Sequence, residues 1–274
     1  MLKKNELLNA IKAIENADCL LITSGAGIGV DSGLPDYRGD NGFWQTYKGL
    51  GSSHHYFEKI ANSNVFEHSP EIAWGFYAHR LLMYRNTEPH TGFKKLLKLG
   101  ESMEKGCFSY TSNVDGQFQK VGFKREQIFE CHGSLHHLQC TANCKGKIWS
   151  AKGFEPEVDA EKGILLTPLP RCPDCGSVAR PNVLMFVDHA WQKTRSIKQN
   201  QFLKPFFQKT EGEKRLVIEI GAGTALPAVR YASERYADFL IRINPAESQM
   251  SVNQEGLSLD LGGLEAINLL LPNM

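Results

Sequence analysis

The chain has 274 residues, a hydrophobic fraction of 42 % and a formal net charge of +1. That length and composition suit one large globular domain, or one carrying an inserted lobe, with apolar content enough for a core. Near-neutral charge argues against a nucleic-acid binder held by phosphate contacts, and no apolar run approaches the ~20 residues that span a bilayer.

In chain order, Leu7, Ile11 and Ile14 recur at helical spacing and predict an opening helix rather than a signal peptide, so a cytoplasmic protein is expected. A compact apolar run at 19–22 then feeds the loop Ser24-Gly25-Ala26-Gly27-Ile28-Gly29. The pattern repeats: 107–110 leads into Thr111-Ser112-Asn113-Val114-Asp115, and 127–130 leads into Cys131-His132-Gly133-Ser134. It returns at 216–220, before Gly221-Ala222-Gly223-Thr224, and at 239–243, before Asn244. Short, continuous apolar runs predict strands buried on both faces, and polar or glycine residues after them mark the ligand crevice of an open α/β sheet. The fold class expected is therefore α/β, a doubly wound and mostly parallel sheet.

Two stretches break this alternation. Residues 37–90 are rich in aromatics and histidine, with a helical pattern over 71–83; residues 135–182 hold four cysteines and several prolines with little periodicity. Both predict insertions that build a smaller lobe, leaving 1–36, 91–134 and 183–274 as the large lobe of a single domain.

Among seven cysteines, Cys140-x3-Cys144 and Cys172-x2-Cys175 form two short pairs. In a reducing compartment such pairs predict a closed tetrahedral zinc site with a structural role. Glycine spacing in 25–29 misses the pattern of dehydrogenases, and alone is as well explained by a tight turn.

The longer string Ser24-Gly25-Ala26-Gly27, continued by Ser32-Gly33-Leu34-Pro35-Asp36-Tyr37-Arg38-Gly39, resembles the sirtuin signature. Thr111-Ser112-Asn113-Val114-Asp115 is similar to that family's Thr-Gln-Asn-Ile-Asp, and Glu130-Cys131-His132-Gly133-Ser134 to its Glu-x-His-Gly-Ser. Arg180-Pro181-Asn182-Val183-Leu184-Met185-Phe186-Val187-Asp188 resembles Arg-Pro-x-Val-Val-x-Phe-Gly-Glu, with Val187-Asp188 in place of Gly-Glu. The resemblance implies a Rossmann-like sheet with a small lobe made of a zinc ribbon and a helical module. It implies NAD-dependent protein-lysine deacylation, with NAD consumed and nicotinamide and O-acyl-ADP-ribose released.

By the same resemblance His132 is the general base, a role suited to imidazole's pKa of about 6.5, and Asn113 orients ribose and water. NAD is then contacted by Gly25, Ala26, Gly27, Asp36, Tyr37, Arg38, Ser112, Asn113, Val114, Asp115, His132, Gly221, Ala222, Gly223 and Asn244. Val183, Phe186 and Val187 would meet an acylated-lysine protein or peptide. Tyr77 and Arg80, three apart on one helix, carry a hypothesis of preference for succinyl or malonyl groups; an amphipathic surface helix with a solvated Arg explains the pair equally well.

Loop 221–227 and segment 182–186 are similar to bacterial macrodomain-linked sirtuins, which are associated with protein ADP-ribosylation and lack the histidine. Retention of His132 favours deacylation, with ADP-ribosyl transfer or NAD hydrolysis as the alternative. A monomer with no nucleic-acid or membrane partner is expected.

Overall fold

The computed structural model describes residues 4–36, 59–159 and 161–274. It opens with helix α1 (Lys4–Glu15) and strand β1 (Cys19–Ser24), followed by a 3-10 turn over Ala26–Ser32. Helices α2 (Val65–His68), α3 (Pro70–Asn86) and α4 (Thr91–Ser102) precede β2 (Cys107–Thr111), α5 (Gln117–Val121) and β3 (Ile128–Glu130). Five short strands come next: β4 (Gly133–Cys140), β5 (Ile148–Ser150), β6 (Val158–Asp159), β7 (Ile164–Leu165) and β8 (Ala179–Val183). The chain ends with α6 (Thr194–Lys209), β9 (Arg215–Ile220), α7 (Ala228–Tyr236), β10 (Phe239–Ile243), β11 (Gly256–Leu259) and α8 (Gly263–Leu270).

Six strands pair in parallel in the order β11-β10-β9-β1-β2-β3. Strand alternation divides their side chains between two cores. Leu20 and Ile22 of β1 pack with residues of α1, α4 and α8 on one face, whereas Leu21 packs with Leu203 of α6 on the other. The sheet is thus covered on both sides, as the unbroken apolar runs predicted. Its sixth strand, β11, was not predicted: Gly256-Leu257-Ser258-Leu259 is short, edge-placed and only half apolar. Connections run opposite ways from β1, so the order reverses between β1 and β9, and the loops after these two strands face the crevice such a reversal opens.

Residue His132 lies where the chain leaves this sheet. β4 starts at the next residue and forms an antiparallel three-stranded sheet, β5-β4-β8. A separate core lies against that sheet, with Trp74, Phe76, Tyr77 and Leu81 of α3 at its centre. Helix α3 approaches β7 so closely that a Cβ on Gly75 would sit 2.0 Å from the Gly163 carbonyl oxygen, which is why a bulky helix has a glycine there.

A candidate active site at the strand ends

The glycine loop and the loop after β9 are in backbone contact. Gly27 N–H donates to the Gly221 carbonyl at 3.1 Å, and a Cβ on Gly27 would stand 2.6 Å from Gly221 Cα. Gly221 itself has φ +63, a left-handed conformation that glycine adopts freely. Gly25 is equally confined, 2.6 Å from the Gly221 oxygen at its virtual Cβ. These glycines therefore let two loops from distant parts of the chain meet at the crevice.

The end of β2 is fastened to the same place. Ser24 Oγ donates to Thr111 Oγ1 at 2.8 Å, and Ser112 N–H donates to the Ser24 carbonyl at 3.1 Å. Asn113 Nδ2 donates to the Gly25 carbonyl at 3.0 Å, and its N–H to Thr111 Oγ1 at 3.0 Å. Val114 is buried in the second core. Asp115 is buried too; its Oδ1 accepts from Gln117 N–H at 2.9 Å, a turn contact just ahead of helix α5, whose N-cap is Gly116. Burial pushes its carboxyl up to about 6, with the nearby Glu130 charge adding to the rise and the Gln117 N–H and Arg80 opposing it.

His132 is half-buried, and its carbonyl accepts from Leu184 N–H at 2.9 Å, joining it to the segment after β8. Cys131 beside it is a thiol that burial pushes up to about 12, so it is no nucleophile at neutral pH. His136 donates from Nε2 to the Asp115 carbonyl at 2.8 Å, a contact between two motifs that the sequence did not foretell.

Past β8, Val183 is buried opposite Gly133, while Phe186 N–H donates to the Ala61 carbonyl at 2.9 Å. Val187 is 68 % exposed at φ +51, a strained setting for a β-branched residue. The turn is held by Asp188, which pairs with buried Arg180 at 2.6 Å and accepts from Met185 N–H at 3.2 Å.

Asn244 serves its own chain at both ends of its amide. Nδ2 donates to the Ala222 carbonyl at 3.1 Å, and Oδ1 accepts from the N–H groups of Ala246 and Glu247 at 3.0 and 2.9 Å. It shapes the loop of Gly221, Ala222 and Gly223 from behind. Asp36 and Ala26 are half-buried beside the loop; Tyr37 and Arg38 lie outside the described residues.

Helix α3 is no surface helix, which removes the solvated-arginine explanation. Arg80 is 7 % exposed and donates from Nε and Nη2 to the Tyr84 hydroxyl at 3.2 and 2.7 Å. Its guanidinium sits over the rings of Phe76, Tyr77 and Tyr84 at 5.3, 5.9 and 5.5 Å. Tyr77 stacks on Phe66 with centroids 5.7 Å apart. Tyr84 was not foreseen, although its spacing of four from Arg80 on a helix points to it.

The metal site comes together as expected. Cys140, Cys144, Cys172 and Cys175 hold their Sγ atoms within 4.8 Å of one another. Cys140–Cys175 and Cys144–Cys172 are 3.6 and 3.7 Å apart, close to the edge of a sulfur tetrahedron built on Zn–S bonds of about 2.3 Å. Four thiolates close the shell of a zinc ion, so it would be structural.

Residues 25–203 match the model of the Sir2 family. An NAD-dependent protein deacylase of Thermococcus kodakarensis is 32 % identical over 178 residues, 65 % of this chain and 63 % of that protein. The match therefore spans less than two thirds of that relative's length. An NAD-dependent protein deacylase of Thermus thermophilus is 28 % identical over 273 residues, 97 % of this chain and 94 % of that one. The crystal structure of a Sir2 homolog–NAD complex superposes with a TM-score of 0.71 at 24 % identity, over 97 % of this chain and 92 % of that one, and shares the fold.

Proposed function

The chain belongs to the Sir2 family, and from that premise we propose that it is an NAD-dependent protein-lysine deacylase acting on acylated proteins or peptides. One observation carries the reading: Gly25, Asn113, Asp115, His132 and the Gly221 loop gather at the carboxyl ends of parallel strands around one switch point.

NAD, as the consumed substrate, supplies the nicotinamide–ribose bond that breaks and the ribose that takes the acyl group. The loops of Gly25–Gly27 and Gly221–Gly223 let its phosphates approach the backbone, through N–H groups other than those of Gly25, Gly27 and Gly221, which are bonded to the Ile220, Gly221 and Ile243 carbonyls. Asp115, as carboxylate, accepts from the nicotinamide carboxamide. Asn113 orients the reacting ribose and a water. His132, after nicotinamide has left to the attack of the acyl oxygen, takes the proton from a ribose hydroxyl. Val187 presents backbone to the peptide by strand addition, beside Phe186, whose own N–H is taken by the Ala61 carbonyl. The four-cysteine zinc site holds the ribbon and takes no part in the chemistry. The reduced thiols it needs support a cytoplasmic setting, a net charge of +1 argues against a nucleic-acid partner held by phosphate contacts, and a monomer is part of the reading.

An acidic acyl group is the preferred cargo in this reading. A buried guanidinium boxed by three aromatic rings, whose charge partly offsets the rise of the Asp115 carboxyl, supports a site for a terminal carboxylate. The second reading, ADP-ribosyl transfer or NAD hydrolysis as in macrodomain-linked relatives, draws on the Gly221 loop: Thr224, its hydroxyl residue, is bonded through Oγ1 and N–H to Glu247.

Mass spectrometry of reactions with NAD and acetyl- or succinyl-lysine peptides separates these outcomes. O-acyl-ADP-ribose, lost in His132→Ala with zinc content intact, is expected. Free ADP-ribose or protein adducts alone would establish the second reading. Arg80→Met should abolish the succinyl preference, and unchanged succinyl turnover in it refutes the acyl assignment.

A further inference from the structure

Glu130 ends β3, two residues before His132, and is 1 % exposed. Four hydrogen bonds tie this one residue to the first turns of α6. Its N–H donates to Gln199 Oε1 at 3.1 Å, and its carbonyl accepts from the Ser196 hydroxyl at 3.3 Å. Its carboxylate Oε2 accepts from Gln199 Nε2 at 2.9 Å and from the Arg195 guanidinium. Residues 195, 196 and 199 follow one another on one side of a helix, so the grip is built by helical spacing. Desolvating such an ion pair is expensive, and an apolar pair would fill the same space at no electrostatic cost. Here Glu130 Oε1 and Arg195 Nη1 are buried with no partner among the described residues, so packing alone does not account for the charges.

The position of this grip gives it a use. Cys131 N–H donates to the Thr111 carbonyl at 2.9 Å, fixing the β3 end to the strand end that bears Asn113. The His132 carbonyl holds Leu184 N–H, in the segment read as the peptide site. That segment leads directly into α6, and α6 returns to Glu130 through the four bonds. His132 therefore lies inside a closed circuit: peptide segment, α6, Glu130, His132 and the peptide segment again.

We infer that Glu130 is a positioning residue for His132, and that Arg195, Ser196 and Gln199 form the clamp that couples the general base to the peptide segment. The inference rests on the deacylase reading for its kinetic consequence. In that reaction nicotinamide departs before His132 acts, so a misplaced imidazole slows only the later steps. Two variants of the full chain loosen the clamp: Glu130→Gln, which keeps the shape but leaves the Arg195 charge unpaired, and Gln199→Met, which spares the ion pair.

Each variant is expected to form O-acyl-ADP-ribose at least about tenfold more slowly while KM for NAD stays within about twofold. Exchange of labelled nicotinamide into NAD should persist in both. An equal fall in exchange and product, or no fall in either, overturns the proposal. If Glu130→Gln does not fold, Gln199→Met carries the test. A second measurement stands whether or not the chain deacylates: the His132 ring resonance in a 1H–13C spectrum, identified by its loss in His132→Ala. It should move in the variants, and an unmoved ring overturns the clamp independently. Wild type without O-acyl-ADP-ribose, but with a ring that moves in the variants, would refute the deacylase reading and leave the clamp supported.

Discussion

Asp115 sets a requirement of function against one of folding. Its carboxyl is raised from an ordinary 3.8 to about 6, chiefly by burial. The folded chain then keeps a proton that the unfolded chain has already lost between about pH 4 and 6, so stability falls as pH rises through that window. A rise of this size corresponds to about 3 kcal/mol at neutral pH. Asp115→Asn keeps an oxygen for the Gln117 N–H and discards the charge. It is expected to be more stable than wild type at pH 7 by about that amount, nearly unchanged at pH 4, and poorer in NAD turnover. Urea melts at the two pH values decide it, and a variant weaker at pH 7 would show that the charge is no burden. The motif around Asp115 made the residue legible as a site group. Its titration was not legible, because burial and the Glu130 and Arg80 charges come from other elements.

At the scale of elements, legibility followed how local the chemistry is. The cysteine pairs could be read because each zinc knuckle closes within a few residues. Strand β8 could not be read as a strand: Ala179-Arg180-Pro181-Asn182-Val183 is polar at its centre, yet every residue in it is buried. Its polar groups are matched in part by residues outside it, Arg180 by Asp188 and Asn182 by Gln139 Oε1 and the Gln192 carbonyl, at 2.6, 2.9 and 3.0 Å, while Arg180 Nε and Asn182 Oδ1 have no partner among the described residues. Periodicity has no access to such partners. The ladder of β4 and β8 runs from Cys140 opposite Ala179 at the metal end to Gly133 opposite Val183 at the active-site end. Zinc should therefore support the peptide segment through that ladder. Removing it by chelation, or through Cys172→Ala, is expected to lower the melting temperature and to raise KM for peptide more than KM for NAD. Atomic absorption on the native chain should give about one zinc ion per molecule. A Cys172→Ala chain with native KM for peptide would confine the metal's influence to the ribbon.

For the whole molecule, parallel strands and a shared crevice were legible, but strand order was not. Five of the six parallel strands announced themselves by a short apolar run and a polar end; the edge strand β11 did not. The placement of β9 beside β1 is a long-range pairing, and the neighbouring ladder holds a charged pair that an apolar run would not suggest: Arg242 meets Glu219 across β10 and β9 with two bonds of 2.7 and 3.0 Å. The reversal of order that this pairing creates brings loops from residues 25–27, 111–115 and 221–224 to one place. A ligand that touches all three binds only the assembled sheet. NAD at about a hundred times its Kd should then stabilise the folded chain by about 2.7 kcal/mol. For a chain of this size that is a rise of roughly 5–10 °C in melting temperature, measurable by calorimetry without any turnover. Most of that rise is expected to remain in His132→Ala, since the histidine is one of many groups read as touching the nucleotide and its main assignment is proton transfer. Gly27→Ala should lose it together with intrinsic stability, because its methyl group would press on Gly221 Cα from 2.6 Å. A native chain whose melting is indifferent to NAD would mean that the switch-point crevice holds some other ligand, and His132→Ala melting without the rise would move the histidine from chemistry to binding.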